Sequence, residues 1–279
     1  MINTRLVYEG QRQVIAIEKD GKTILLDRTH GSYVPDICNK FDAFASCVLP
    51  TANNLWDFSG SRVHVDAQTG WQLVYTSLPE SYEMAAMYAR ELRLEGGEIV
   101  FDVGAYCGLS TLVFSRSVGS QGHVYAIEPD PKSFTALQEN LKAHDASNVT
   151  ARQVAISDHI GFVPFISEWN IGSGVAGVAS NRESTGLIPC LRLQDVMPST
   201  QVNALKIDAE GSEVAILSGA LDWLRDTRPR VFIECHSYPS RNIEAKETVR
   251  TILESLSYHS HFIEPFGYES GCIVGEWAA

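Results

Sequence analysis

Acidic side chains and one histidine directly follow four short apolar stretches of this sequence. Asp102 and Glu128 end the first two stretches, Asp208 ends the third, and Glu234 and His236 end the fourth. Ligands bind at the carboxyl ends of the strands of an open parallel sheet, so these side chains are predicted to gather at one edge. Carboxylates accept hydrogen bonds from hydroxyl groups or hold cations, and a histidine exchanges a proton near neutral pH. The pattern therefore predicts a ligand site rich in carboxylates.

The turn after Asp102 contains two glycines, Gly104 and Gly108, and an apolar pattern with helical spacing begins at Leu109. Strand, glycine turn and helix is the order in which a backbone loop approaches a nucleotide-like ligand. A pyrophosphate-binding turn has the spacing G-x-G-x-x-G, whereas this one is G-x-x-x-G, and Asp102 would repel phosphate but attract an ammonium group. Glu128 can accept hydrogen bonds from both hydroxyls of a ribose. The residues therefore favour a nucleoside that carries an amino acid, such as S-adenosylmethionine, over NAD.

Three of the strand-end residues are candidates for catalysis. Methyl transfer to oxygen needs an aligned approach and a group that removes the acceptor's proton. His236 is the candidate base, and Asp208 and Glu234 follow neighbouring strands and are the other two candidates. The same three residues could instead gather Mg²⁺, and a carboxylate acceptor would need positioning alone. The base is favoured here, and no residue is assigned as a metal ligand.

The first part of the chain, residues 1–78, is predicted to be a β-rich addition that contacts substrate or a second subunit. Hairpins are predicted around Gly21 and Gly70, and residues 28–60 are predicted to be irregular. Residues 79–279 are predicted to form the cofactor-binding domain, which begins with a helix over residues 80–94.

Strands and helices alternate after residue 98, which predicts an α/β fold with a largely parallel sheet and right-handed crossovers. The final two strands are expected to form an antiparallel edge pair. Residues 155–200 interrupt the alternation, and they are predicted to form short strands and a loop over the site. Strands are predicted near residues 98–102, 124–128, 149–154, 204–208, 230–235, 257–264 and 271–277, and later helices near 109–115, 131–143, 212–224 and 243–256.

Five segments of the sequence resemble the FkbM family of methyltransferases. They are "VFDVGAYCGLST", "VYAIEPDP", "VAISD", "LKIDAEGSEVAILSGA" and "RPRVFIECH", and the resemblance covers roughly residues 95–240. The resemblance implies a class I methyltransferase fold, which is Rossmann-like with a seven-stranded sheet. It also implies S-adenosylmethionine as cofactor and oxygen atoms of small molecules or sugars as acceptors.

The resemblance also implies positions for the cofactor. Glu128 would hold the ribose, the backbone of Ala155 would contact the adenine edge, and Ser157 would flank the ring. Family members usually have Asn where this chain has Tyr106. The methionine part of the cofactor would lie against Asp102, Gly104, Ala105, Tyr106 and Gly108.

Composition excludes several classes of function. The formal net charge is −12 and no run of Lys or Arg occurs, so recognition of nucleic acid through its phosphates is not expected. The start of the chain lacks the apolar core of a signal peptide and no apolar run is long enough to span a membrane, so no membrane association is expected. The six cysteines are scattered without a C-x-x-C pair, which is typical of reduced thiols in the cytoplasm.

Together these features predict an S-adenosylmethionine-dependent O-methyltransferase that acts on a hydroxyl or carboxyl group of a small molecule, with a homodimer expected. The alternatives are a nicotinamide-dependent oxidoreductase and a non-catalytic nucleoside-binding protein. Six aromatic residues are candidates for an apolar acceptor pocket, although core or dimer-interface positions would suit them equally. They are Trp56, Phe58, Trp71, Tyr75, Tyr82 and Trp169.

Overall fold

A seven-stranded sheet lies at the centre of the computed structural model, which describes residues 1–176, 183–196, 201–236, 245–264 and 271–278. The N-terminal elements come first in the chain. They are β1 (Ile2–Glu9), β2 (Arg12–Lys19), β3 (Lys22–Asp27), a 3-10 helix (Arg28–Tyr33), α1 (Val34–Asn39), α2 (Phe41–Cys47), β4 (Leu55–Phe58), β5 (Arg62–Val65) and β6 (Gln72–Tyr75).

Both predicted N-terminal hairpins are present, as the antiparallel pairs β2–β3 and β5–β6. β1 to β4 form one sheet in chain order, in which β3 and β4 run parallel. The prediction that residues 28–60 are irregular is wrong, because three short helices and β4 lie there. Helices of six or seven residues span too few turns to show a clear apolar period, yet Ile37, Phe41 and Ala45 are buried on one side of α1 and α2.

The rest of the chain alternates between helices and strands, as predicted. The elements are α3 (Tyr82–Glu91), β7 (Ile99–Val103), α4 (Leu109–Val118), β8 (His123–Ile127), α5 (Pro131–Ala143), β9 (Val149–Arg152), β10 (Ala155–Ile156), β11 (Gly161–Ile166), β12 (Gly174–Val175), β13 (Gly186–Leu191), α6 (Leu193–Val196), β14 (Ala204–Ile207), α7 (Glu213–Ser218), α8 (Leu221–Thr227), β15 (Arg230–Glu234), α9 (Ala245–Ser255), β16 (Tyr258–Ile263) and β17 (Cys272–Trp277).

The central sheet has the strand order β16-β17-β15-β14-β7-β8-β9. Neighbouring strands from β15 to β9 are parallel, and β17 is antiparallel to both β15 and β16, as the sequence predicts. All four residues of β14 are buried, as expected for a central parallel strand covered on both faces. The order of the strands along the chain reverses between β7 and β14, so a ligand crevice is expected at their carboxyl ends.

Residues 155–200 contain a second small sheet, with the order β10-β13-β11-β12. Its short strands agree with the prediction for this segment, of which residues 177–182 and 197–200 lie outside the described part of the chain. The single helix predicted over residues 212–224 is instead divided into α7 and α8. Gly219 lies at the division, where a Cβ atom would come within 2.5 Å of the Cα atom of Asp158, so the chain packs there against the loop after β10.

The N-terminal elements and one face of the central sheet share a hydrophobic core. Phe41, Phe58 and Tyr75 belong to the same buried cluster as Leu109 and Phe114 of α4. Each such side chain stabilises the fold by about 1.5–3 kcal/mol through burial of apolar surface. The other face of the sheet carries a second cluster, formed with α7, α8 and α9.

Two further observations concern the chain as a whole. All six cysteines lie within the described residues, and all are free. Across the described ranges, no helix combines the length and the apolar character needed to cross a membrane.

Candidate active site

A cavity of about 690 Å³ lies at the carboxyl ends of β7, β8, β14 and β15, where the strand order reverses. Its walls also include α2, the start of α3 and the small sheet that contains β10 and β12. Of the residues predicted for the site, those that line the cavity are Gly104, Tyr106, Glu128, Ala155, Asp208, Glu234 and His236.

The glycine turn brings two strand ends into direct contact. Gly104 has a φ of +79°, and a Cβ atom there would lie 1.7 Å from the carbonyl oxygen of Asp208. A side chain at this position would therefore separate the end of β7 from the end of β14. The Lys206 ammonium, on β14, donates a hydrogen bond to the Gly104 carbonyl oxygen at 2.7 Å, and this bond holds the turn against β14.

Asp102 is fully buried behind this turn rather than in the cavity wall. Its Oδ2 accepts hydrogen bonds from the hydroxyls of Ser110, at 2.8 Å, and Thr111, at 2.6 Å. The Lys206 ammonium lies 3.3 Å from Oδ1. Burial would lower the pKa of Lys206, but Asp102 and Asp208 hold it above its ordinary value. Asp102 thus connects β7 with the first turn of α4 and with the buried Lys206 ammonium. It is also the carboxylate partner that a buried lysine needs.

Glu128 lines the cavity with only part of its hydrogen-bonding capacity in use. The carboxylate is almost completely buried. Its Oε2 accepts from the backbone N–H of Tyr106, at 2.8 Å, and Oε1 accepts from that of Asp130, at 2.7 Å. Burial raises the pKa of Glu128 to about 8, against the opposing effect of the Asp130 N–H. A carboxylate offers about four lone pairs, so both oxygens can still accept a hydroxyl donor.

Tyr106 lies in the glycine turn, at the position where the resemblance to the FkbM family leads one to expect Asn. Its φ is +47°, in the left-handed region that Asn adopts more readily than Tyr. Its hydroxyl donates to the carbonyl oxygen of Leu78, at 3.1 Å, and accepts from the hydroxyl of Thr76, at 3.2 Å. Its ring stacks against Tyr75. The side chain therefore connects the glycine turn to the N-terminal elements, while its backbone N–H remains available to position Glu128.

An apolar slot lies beyond Glu128, on the side of the small sheet. Ala155 is buried there between residues 154 and 156, and Phe165 completes the slot. Ser157 lies outside the cavity lining, with its N–H donating to the carbonyl oxygen of Leu191 at 2.9 Å. Ala105 and Gly108 likewise lie behind the lining surface in the described part of the chain.

Glu80 lines the cavity although the sequence pattern does not indicate it. Its Oε2 lies 3.4 Å from the backbone N–H of Leu109, at the start of α4. Burial raises the pKa of Glu80 to about 8, with Lys206 opposing this shift and Asp102 adding to it. Glu80 precedes a helix rather than following a strand, and no sequence motif marks it.

Asn170 is a second residue that the sequence did not indicate. Its Oδ1 accepts from the backbone N–H of Leu78, at 3.4 Å, and its buried Nδ2 has no hydrogen-bond partner among the described residues. Asp130 holds this turn over the cavity, because its Oδ2 accepts from the hydroxyls of Ser167, at 2.6 Å, and Ser173, at 2.9 Å. A buried amide donor without a partner in a cavity wall is available to a polar ligand.

Asp208, Glu234 and His236 lie together, as predicted from their strand ends. One ligand atom from each lies within 4.8 Å of the others. His236 Nδ1 is 2.8 Å from Oε1 of Glu213, and Nε2 is 3.5 Å from Oε1 of Glu210. Burial would lower the pKa of His236, but Glu210, Glu213 and Glu234 raise it well above its ordinary value. With no other cation bound, the surrounding carboxylates therefore favour the protonated imidazole.

The six aromatic candidates for an acceptor pocket pack elsewhere. In the described residues, the cavity wall on the N-terminal side consists of α2 and the start of α3 instead. Trp56 and Tyr75 are core residues, Trp71 packs beneath the guanidinium of Arg116, and Trp169 lies against the Lys132 ammonium. Phe58 is also in the core, and Tyr82 contacts Trp71.

The profile described as "Methyltransferase FkbM domain" matches residues 102–260, which is more than half of the chain. The chain belongs to the FkbM family of methyltransferases. This family is S-adenosylmethionine-dependent, so membership implies that cofactor, and it favours methyl transfer over the nicotinamide-dependent alternative.

Individual relatives agree with this membership. The chain is 26% identical to "Methyltransferase 1" of Beauveria bassiana, over 57% of this chain and 71% of that protein. It is 30% identical to the 31-O-demethyl-FK506 methyltransferase FkbM of Streptomyces tacrolimicus, over 48% of this chain and 64% of that protein. The crystal structure of methyltransferase FkbM from Methylobacillus flagellatus superposes with a TM-score of 0.51 at 16% identity, over 89% of this chain and 62% of that one. The fold is thus the predicted class I methyltransferase fold.

Proposed function

We propose that this chain is an O-methyltransferase that uses S-adenosylmethionine and methylates a hydroxyl group of a neutral or cationic small molecule. The observation that carries the proposal is one cavity with two ends of different chemistry. One end combines the partly used Glu128 carboxylate with an apolar slot, and the other end gathers Asp208, Glu234 and His236. The Streptomyces relative is named for methylation of 31-O-demethyl-FK506, which supports oxygen as the accepting atom.

The residues present fit the cofactor. The cavity volume of about 690 Å³ lies within the range of roughly 300–1,000 Å³ that small-molecule sites occupy. Glu128 can accept hydrogen bonds from the two ribose hydroxyls, and the slot beside Ala155 suits a flat apolar ring. Glu80 offers a carboxylate to the ammonium group, and Asn170 offers an amide N–H to a carboxylate or a ring nitrogen.

When bound, S-adenosylmethionine supplies a methyl group on a positively charged sulfur. The chain's own contribution is alignment, because Lys206 and Gly104 hold the ends of β7 and β14 at a fixed separation. In-line displacement depends on such alignment.

The charge at the end of the cavity that contains Asp208, Glu234 and His236 determines which acceptor group this end favours. Asp208, Glu210 and Glu234 surround the place where the acceptor would lie. A carboxylate acceptor would add one more negative charge to this cluster, whereas a hydroxyl adds none. With no cation bound, the acidic side chains at this end of the cavity therefore favour a hydroxyl acceptor over a carboxyl acceptor.

Two measurements test this proposal. Calorimetric titration with S-adenosylmethionine, S-adenosylhomocysteine and NAD should show binding of the first two alone, and binding of NAD alone would contradict the cofactor assignment. Incubation with methyl-labelled S-adenosylmethionine and matched alcohols and carboxylic acids of the same carbon skeleton should then label the alcohols, as measured by mass spectrometry. Labelling confined to the acids would contradict the choice of a hydroxyl acceptor.

A further inference from the structure

We propose that Asp208, Glu234 and His236 hold a divalent cation, of the Mg²⁺ or Mn²⁺ class, which binds the acceptor's hydroxyl oxygen. The proposal deepens the proposed function and rests on it for the identity of the acceptor group. It assigns the three residues as metal ligands in place of a free histidine base.

The three side chains direct one atom each to a common point. His236 Nε2 lies 3.8 Å from Oδ1 of Asp208 and 3.8 Å from Oε1 of Glu234. All three atoms lie within 4.8 Å of one another. Ligands that bind one ion at about 2.0–2.6 Å lie roughly 3–5 Å apart, depending on whether they are adjacent or opposite. The spacing therefore suits a single ion with little movement of the side chains.

The second atom of each ligand group is held by a neighbour outside this triangle. Oδ2 of Asp208 lies 3.6 Å from the Lys206 ammonium, and Oε2 of Glu234 accepts a hydrogen bond from the Tyr88 hydroxyl at 3.3 Å. His236 Nδ1 lies 2.8 Å from Glu213. Metal ligands are oriented by such outer contacts, and a histidine ligand typically donates its other N–H to a carboxylate. This leaves Oδ1 of Asp208, Oε1 of Glu234 and Nε2 of His236 as the atoms that would bind the ion.

Glu213 gives independent support for this orientation. Its side chain is fully buried, and its Oε1 accepts from the backbone N–H groups of Ala209, at 3.3 Å, and Gly211, at 3.0 Å, as well as facing His236. No described group donates to its Oε2. A fully buried carboxylate so placed fixes His236 as the Nδ1–H tautomer, with Nε2 as the ligand. Glu213 is therefore a positioning residue for the site.

The donor set selects the class of ion. Two carboxylates and one imidazole, with the remaining positions open to water and acceptor oxygens, suit Mg²⁺ or Mn²⁺. The acidic surroundings also favour a dication, because Glu210 adds a further carboxylate 3.5 Å from His236 Nε2.

The bound ion would lower the pKa of the acceptor's hydroxyl group. The hydroxyl oxygen binds the ion and releases its proton to solvent water. The resulting oxyanion forms a bond to the methyl carbon while the carbon–sulfur bond breaks, and the bonding electron pair goes to sulfur. The products are the methyl ether and neutral S-adenosylhomocysteine, so atoms and charges balance without a protein base.

The test is Mn²⁺ binding by the full chain after EDTA treatment and dialysis, measured by the loss of the free-ion signal in electron paramagnetic resonance. The wild-type chain should bind one Mn²⁺, and Mg²⁺ should displace it. Asp208→Asn and Glu234→Gln should each weaken binding at least tenfold. Glu213→Gln should weaken binding by about 10–100-fold through loss of the outer contact.

Glu83→Gln is the matched control, since Glu83 lies on the wall of the same cavity but contacts Gln68 rather than the proposed ligands. It should leave Mn²⁺ affinity unchanged. Affinity for S-adenosylhomocysteine, measured on every variant, reports whether the fold and the cofactor site are intact. Wild-type chain that binds S-adenosylhomocysteine but not Mn²⁺ would overturn the metal site and leave the proposed function standing.

Two other outcomes also decide the question. Equal Mn²⁺ affinity in wild type, Asp208→Asn and Glu234→Gln would place the ion elsewhere and overturn the assignment. Failure of wild type to bind S-adenosylhomocysteine would instead count against the proposed function, whatever the Mn²⁺ result.

Discussion

Replacement of Glu128 by Gln should weaken binding of every ligand that carries the cofactor's ribose. The carboxylate already accepts two backbone N–H groups, from Tyr106 and Asp130, and its remaining lone pairs are the proposed acceptors for the ribose hydroxyls. An amide has one acceptor oxygen and would direct N–H toward one of the backbone donors. Hydrogen bonds to charged groups contribute about 1.5–3 kcal/mol, and the comparison is made at pH 9, where a carboxyl with a pKa of about 8 is mostly ionised. A factor of ten in affinity corresponds to about 1.4 kcal/mol, so the loss should be roughly 10- to 150-fold.

The assay compares S-adenosylhomocysteine with 5′-methylthioadenosine by calorimetry. Both ligands contain the ribose, but the second lacks the amino-acid part. Glu128→Gln should therefore weaken both to a similar extent. Glu80→Gln provides the contrast, because loss of the carboxylate proposed for the ammonium group should weaken S-adenosylhomocysteine alone.

The reasoning is refuted if Glu128→Gln binds 5′-methylthioadenosine as tightly as wild type. A selective loss of S-adenosylhomocysteine binding in Glu128→Gln would instead move the residue to the amino-acid end. Circular dichroism on each variant distinguishes these results from loss of the fold.

Three further predictions follow from the same geometry. Burial raises the pKa of Glu128 to about 8, and the ionised form is the better acceptor, so affinity for 5′-methylthioadenosine should rise between pH 6 and pH 9 and level off above, as measured by calorimetry. A flat profile in the wild type would argue against an ionised Glu128 in the complex. Tyr106→Phe removes the donor to the Leu78 carbonyl, so the free energy of unfolding in urea should fall by about 0.5–1.5 kcal/mol with little change in S-adenosylhomocysteine affinity. Gly104→Ala should lower the thermal midpoint further than Gly97→Ala, because both have positive φ but only Gly104 has a backbone oxygen in the way; equal losses would show that conformation alone matters.

The local sequence was sufficient to predict the central fold. Alternating strand and helix patterns, with crossovers of one hand, bring the carboxyl ends of parallel strands to one edge. This rule predicts that Glu128, Asp208, Glu234 and His236 share one site, and all four line the cavity. The short helices of residues 28–60 were not predicted, because their apolar residues meet the core over too few turns to show a period.

Tertiary packing decided which strand-end residues face the cavity. Asp102 and Asp208 both follow the apolar residues of neighbouring strands, yet Asp102 is buried against Ser110 and Thr111 while Asp208 lines the cavity. Successive side chains of a strand point to opposite faces of the sheet, so a shift of one residue along the strand moves a side chain to the other face. The sequence pattern does not define the end of a strand to within one residue, so it does not predict which face an acidic side chain there will occupy.

The sequence by itself determined the family, the succession of strands and helices along the chain, and the carboxylates that follow the strands, because these depend on local pattern and chain order. Only the tertiary structure placed Glu80 and Asn170 in the cavity wall and brought the Glu213 carboxylate next to Nδ1 of His236. Glu80 precedes a helix, Asn170 lies in a turn and Glu213 lies in a helix. None of the three follows a strand of the central sheet, so the expectation that ligands bind at the carboxyl ends of strands does not point to them. Their positions depend on how separate elements pack against one another, and such packing is a property of the whole folded chain.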